Sequence, residues 1–206
     1  MTLYEALLEQ YGYNEPILTN EIQFKNYSKP WVYKELNSLC ENNKLVRFEK
    51  GVYYIPKETP FGPSVLNPSK VLEKKYIKSD SETFGYYSGC YLMNILGLSS
   101  QVPNVIEVYS NNESSKMRDV KVGTQNVRLR KSRVNITKDN AAVLTFLELM
   151  NTVDVDDLDA EKKRIIEKYI IDSKICRRDI TRYSRAYPDK AMRNMIESEI
   201  VYSVAQ

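Results

Sequence analysis

Residues 28–56 read SKPWVYKELNSLCENNKLVRFEKGVYYIP, a helix running straight into a two-stranded ribbon. Ser28 is suited to cap the helix, and Pro30 falls in its first turn, where a missing N–H costs nothing. Val32, Leu36, Leu39 and Cys40 recur at helical spacing and mark the side to be buried. The other side carries Lys29, Trp31, Tyr33, Lys34, Asn37 and Ser38. Asn42-Asn43 ends the helix. Leu45, Val46 and Phe48 lead to a tight turn at Glu49-Lys50-Gly51, and Val52, Tyr53, Tyr54 and Ile55 return. Gly51 supplies the positive φ of a short hairpin.

A helix followed at once by a basic-tipped hairpin is the pattern of a winged helix-turn-helix. Such a helix enters the major groove, where base edges are distinguishable, while the wing touches backbone. Arg47 and Lys50 are the phosphate contacts this reading expects. The same pattern also fits an ordinary α/β packing unit with a solvated, charged face.

The preceding residues complete the order. Thr2-x-x-Glu5 is a capping box, and Leu3, Leu7, Leu8 and Tyr11 form an apolar stripe ended by Gly12. Thr19 or Asn20 is expected to cap a brief second helix through Phe24, with Ile22 buried. Residues 1–57 are therefore expected to be a DNA-binding winged helix-turn-helix domain. Residues 58–68 lie in a Pro-rich stretch and are expected to be a linker. Residues 69–206 are expected to be a C-terminal domain. There, Asn67-Pro68 starts a helix through Tyr76, and Tyr86 to Leu96 makes another with Gly97 beyond its end. Val105 to Tyr109 is a strand, and alternation from Val120 to Ile136 reads as a hairpin turned at Gly123. From Thr137 onward the pattern is helical. The fold class expected is α+β: a winged helix-turn-helix followed by a mixed α/β domain ending in helices.

Composition narrows the function. Hydrophobic residues make up 42% and charged residues 28% of 206, enough for a core and typical of a soluble chain. No apolar run approaches the ~20 residues that span a bilayer. MTLYEALLEQ lacks the basic n-region of a signal peptide. Cysteines at 40, 90 and 176 are odd in number and far apart, which argues for reduced thiols in the cytoplasm and against a disulfide framework or zinc site. There is no histidine, which removes Ser-His-Asp and Cys-His pairs and the commonest general base. No phosphate-binding glycine loop is present. Asp154, Asp156, Asp157 and Asp159 lack the glycine of a calcium loop and suit a solvated helix start. No catalytic residue, metal or cofactor is expected. An enzyme built on Glu148, Asp154 and Asp156 is the weakest of the alternatives, because their spacing fits no ligand set.

Charge is segregated. Residues 116–138 hold eight cations against Asp119, residues 139–161 hold seven acids and no cation, and residues 174–193 hold seven cations against two acids. Blocks of this kind are a footprint of phosphate binding, or of basic and acidic surfaces neutralising each other within the fold.

Winged helix, GVYYIP, GYYSGCYLMNILGLSSQVPNVIEVYSN, then a hairpin and RVNITKDNAAVLTFLELM, in that order, resemble the AbiEi-like antitoxins of type IV toxin–antitoxin systems, also described as abortive-infection transcriptional regulators. The resemblance runs over nearly the whole chain. It implies a cytoplasmic repressor of its own promoter that binds inverted repeats in double-stranded DNA and serves as antitoxin to a neighbouring nucleotidyltransferase toxin. Carried over residue by residue, Ser28, Lys29, Trp31, Tyr33, Lys34 and Asn37 take the recognition positions, and Arg47 and Lys50 the wing. Arg128, Arg130, Lys131 and Arg133, with Arg177, Arg178, Arg182 and Arg185, are candidates for a second phosphate-binding face. The alternative is a protein-interaction module that binds a partner protein through Trp31, Tyr33, Tyr53 and Tyr54.

Overall fold

A computed structural model describes residues 2–22 and 28–204. The chain divides into two units, residues 1–74 with 122–124, and residues 75–121 with 125–206. No helix among the described residues is long and apolar enough to cross a membrane.

In the first unit, helix α1 (Leu3–Tyr11) opens on the expected capping box: Glu5 N–H donates to Thr2 Oγ1 at 3.2 Å, and Thr2 N–H to Glu5 Oε2 at 2.8 Å. Strand β1 (Ile17–Leu18) follows. The expected second helix begins where residues 19–21 form a turn; Gln23 and Phe24 lie outside the described residues. Helix α2 (Lys29–Glu41) buries Val32, Leu36 and Leu39. Ser28 occupies the cap position with extended backbone, but its side chain makes no capping hydrogen bond. Pro30, at the second helical position, has no N–H to offer it.

Strands β2 (Val46–Glu49) and β3 (Val52–Tyr54) form the wing, with β1 on the far side of β3. Val46 pairs with Tyr54 at the open end, and an irregularity between Arg47 and Glu49 precedes the turn. Gly51 sits there at φ 79°. Thr19 N–H donates to its carbonyl at 3.0 Å, tying the wing to the end of β1. One core gathers Leu3, Leu7, Ile17, Val32, Leu36, Leu39, Leu45, Tyr53 and Ile55. This is a helix, a two-faced helix and a hairpin stitched to a short strand. The first helix, the helix with one exposed side and the hairpin are where the sequence anticipated them; of the expected second helix, residues 19–21 form a turn, and Gln23 and Phe24 lie outside the described residues.

The stretch expected as a linker is folded. Strands β4 (Glu58–Thr59) and β5 (Gly62–Pro63) make a small hairpin. Ser64 Oγ accepts from Lys57 N–H and bonds Asn14 Oδ1, which fixes the hairpin's base. Helix α3 (Pro68–Tyr76) follows, and the division between the units falls inside it, at 74/75, rather than in the Pro-rich stretch.

The second unit contains a four-stranded mixed sheet, order β6-β7-β9-β8. Its strands are β6 (Gly85–Ser88), β7 (Val105–Ser110), β8 (Met117–Val122) and β9 (Gln125–Lys131). β7 runs antiparallel to β6 and parallel to β9. Tyr86 to Ser88 are thus strand, not the start of a helix, and α4 is shortened to Gly89–Ile95. A Cβ on Gly85 would stand 1.9 Å from the Tyr76 carbonyl oxygen, so only glycine admits the strand here. The hairpin turns at Gly123 as expected, but its second strand ends at Lys131; Val134 and Ile136 leave the ladder to pack on the helical core.

Helix α5 (Ala141–Thr152) is the centre of that core. Leu144, Phe146, Leu147, Leu149 and Met150 are all fully buried, as befits a helix that is apolar nearly all round. It packs on β6, α4, α7 (Arg177–Ser184) and α8 (Asp189–Glu197). Helix α6 (Ala160–Asp172) begins after the acidic loop, where Asp159 caps Lys162 N–H at 2.8 Å.

Leu36 is the residue on which the orientation of α2 turns. Leu36→Ala is expected to cost about 2–5 kcal/mol, because a fully buried leucine leaves a cavity. Tyr33→Ala, on the exposed side, is expected to change stability by about 0.5 kcal/mol or less. Urea denaturation of both variants measures the difference.

Candidate nucleic-acid interface

The helical stripe that buries Val32, Leu36 and Leu39 leaves the other side of α2 to solvent. Ser28, Lys29, Lys34 and Asn37 are exposed, Trp31 is 38% exposed and Tyr33 51%. Glu35 is half-buried and Glu41 exposed. On the wing, Arg47 and Lys50 are exposed, one on β2 and one at the turn. Every recognition and wing position expected from the sequence therefore belongs to the first unit and is reachable from solvent. The surface combines two lysines, an arginine and a lysine from the wing, an amide and two aromatic rings. Such a set offers backbone contacts through cations and base-edge contacts through an amide.

Tyr53 and Tyr54 differ from expectation. Both are buried, at 5% and 6% exposure, and Tyr53 is part of the core. Strand β3 is the central strand of its sheet, and the Tyr53 ring packs into the core with Leu3, Leu7, Ile17 and Leu36. Both tyrosines are packing residues rather than anchors for a partner.

The second basic face is divided. Arg128 is held by Asp119 through two bonds, Nε at 2.9 Å and Nη2 at 3.1 Å. Arg130 Nε donates to Glu107 Oε2 at 2.9 Å. Arg133 Nη2 lies 3.5 Å from Glu148 Oε2 and donates to the Tyr109 hydroxyl at 3.0 Å. Its guanidinium also stands over the rings of Tyr109 and Tyr187, 5.3 and 5.0 Å from their centroids. All three arginines proposed for this face around the hairpin are thus engaged inside their own unit, by Asp119, Glu107 and Glu148, of which only Glu148 belongs to the acidic block 139–161. Lys131 is exposed, as are Arg177, Arg178, Arg182 and Arg185. Among the described residues no group of three or more His, Cys, Asp or Glu is placed to hold a metal ion.

Residues 17–177 match a family described as a family of unknown function (DUF6088). The chain belongs to this family. No curated protein matches it. In this DUF6088 chain the matched region contains β1, α2, the wing, the mixed sheet, α5 and α6. It stops at Arg177, so Arg178, Arg182 and Arg185 lie beyond it.

Glu148, whose spacing from Asp154 and Asp156 fits no ligand set, is the centre of a buried polar cluster that no local pattern signalled. Glu148 projects from α5 with its side chain 5% exposed. Ser88 Oγ donates to its Oε1 at 3.0 Å, while Oε2 has no hydrogen-bond partner. Tyr86 and Tyr187 share a hydroxyl bond at 2.8 Å beside it, and Tyr187 donates to the Leu144 carbonyl. Burial pushes the Glu148 carboxyl above its ordinary range, against the pull of Arg133 and Ser88. A raised native value means that the protonated form is favoured in the fold. Its stabilisation is therefore complete below the ordinary pH of 4.5 and is lost as pH rises through the native value. Glu148→Gln stays neutral throughout. The stability of the wild type relative to Glu148→Gln is expected to fall in urea titrations as pH rises from 4.5 through the raised native value; parallel pH profiles would exclude the assignment.

Proposed function

We propose that this chain is a double-stranded DNA-binding regulator that represses its own promoter, reading inverted repeats through α2 and bracing it with the β2–β3 wing. In that reading it is the antitoxin of a type IV toxin–antitoxin pair whose toxin is a nucleotidyltransferase. The observation that carries the DNA-binding part is the division of α2. One side is sunk in the core; Lys29, Trp31, Tyr33, Lys34 and Asn37 are exposed along the helix, as are Arg47 and Lys50 on the wing that follows it. The antitoxin part rests on the resemblance of the sequence to the AbiEi-like regulators.

The cation supply on α2 is modest, so phosphate attraction comes largely from the wing. Base discrimination falls to Lys34 and Asn37, with Trp31 and Tyr33 filling apolar contacts such as thymine methyls. Exposed Lys131 and the arginines of α7 are the remaining candidates for backbone contact. The chain acts by binding; no residue is assigned a catalytic role.

Gel-shift titration against the duplex upstream of the gene tests this. Arg47→Ala and Lys50→Ala are expected to weaken binding to all duplexes alike and to reduce the salt slope by about 0.9 for each lost contact. Lys34→Ala and Asn37→Ala are expected to shift preference among sequences by ~1–3 kcal/mol. Unchanged affinity in all four variants removes the winged helix from the mechanism. Co-expression with a neighbouring nucleotidyltransferase separates the antitoxin role: restored growth supports it, and failure to rescue leaves a regulator alone.

A further inference from the structure

The first unit has a second surface, at the end of the wing hairpin away from its turn. A cleft of about 390 Å³ opens there, lined by Tyr4 and Tyr13 from α1 and the loop after it, Lys44 ahead of β2, and Pro56, Lys57 and Glu58 beyond β3. The register puts Val46 opposite Tyr54 at this end, whereas Lys50 and Gly51 form the turn at the other. The residues from Lys50 to Tyr54 span roughly 13 Å of strand. The cleft is thus set apart from the wing tip.

Its walls are fixed. Asn14 N–H donates to the Ile55 carbonyl at 3.0 Å, holding the Tyr13 loop to the strand exit. Ser64 ties the β4–β5 hairpin to Asn14. Lys44 Nζ stands over the Tyr4 ring, 5.6 Å from its centroid. Among the described residues, neither Lys44 nor Lys57 is in an ion pair. The hairpin that begins at Glu58 carries Phe61 at its tip, 101% exposed, in a turn stiffened by Thr59 Oγ1 donating to the Gly62 carbonyl at 2.7 Å. Two ammonium groups without carboxylate partners line the cleft with two tyrosine rings, against the single carboxylate of Glu58, and Phe61 follows three residues on along the same hairpin; the set matches a ligand with carboxylates and an apolar side chain.

We propose that this cleft, with Phe61, is a docking surface for an acidic segment of a partner protein that carries an apolar side chain among its carboxylates. Lys44 and Lys57 take the carboxylates, and the Tyr4 and Tyr13 rings with Phe61 cover the apolar group. The surface is separate from the α2 face, so it stands whether or not the chain binds DNA.

The probe is a fluorescein-labelled synthetic peptide, Glu-Asp-Phe-Glu-Asp-Phe-Glu, with a control in which every acid is its amide. Fluorescence anisotropy with the full chain is expected to show binding of the acidic peptide and little of the control. Lys44→Glu with Lys57→Glu is expected to weaken it about tenfold, and Phe61→Ala about fivefold or more. All three positions are exposed, and far-UV circular dichroism checks that the variants keep the fold. Equal binding of acidic and neutral peptides, no binding, or no effect of the substitutions would each overturn the proposal. So would displacement by inorganic phosphate beyond that by chloride of equal ionic strength, which marks a small-anion site. A loss of duplex affinity in the double-lysine variant as large as in Arg47→Ala would instead make the cleft part of a nucleic-acid face.

Discussion

Leu36 can reach the core only if α2 is turned so that Trp31 and Lys34 face away from it. That rotational constraint governs the first unit. Val32 and Leu39 repeat it on either side, and Leu3, Leu7, Ile17 and Tyr53 receive the stripe. Because the residues are spaced for a helix, the polar set cannot be presented in another order without exposing the apolar one. The wing is set by the same packing. Ile17 pairs with Tyr53 and Leu18 with Val52, so the hairpin is anchored along β1 and its turn projects with Lys50. A recognition surface here is a by-product of how the core closes.

The second unit solves a different problem. Its central helix is so apolar that one carboxylate on it, Glu148, is out of place. Ser88 from β6 and Arg133 from beyond β9 converge on that group, and Tyr86, Tyr109 and Tyr187 enclose them. Five segments distant in sequence meet there, around a carboxyl that burial shifts toward its protonated form. Arg133 cannot leave for an external phosphate without stranding Glu148.

Much of the first unit was legible because its signals are local. A capping box, a helical stripe and a glycine turn each lie within a few residues, and each appears where its pattern placed it. What escaped notice depends on partners far along the chain. Arg130 and Glu107 are 23 residues apart, so no window of sequence pairs them. Arg130 and Arg133 looked like free surface charge for that reason. Tyr86 to Ser88 passed for helix because the run of small and aromatic residues is ambiguous; the neighbouring β7, over 15 residues on, decides it. The Pro-rich stretch signalled a break but not the hairpin within it, since two-residue strands carry no periodicity. Ser28 had the right residue type for a cap, but a proline stands at the second helical position.

The order of strands in the mixed sheet leaves β8 at one rim. Met117, Arg118, Asp119 and Lys121 are exposed there, a dense alternation of opposite charges on a short strand. A rim dressed in this way rejects an incoming extended chain, because each added residue would strip water from an ion without replacing it. Adding a strand at that rim is therefore closed to another copy of the molecule as a route to fibrils. On that side of the sheet unit recognition is left to side chains, where it can be selective.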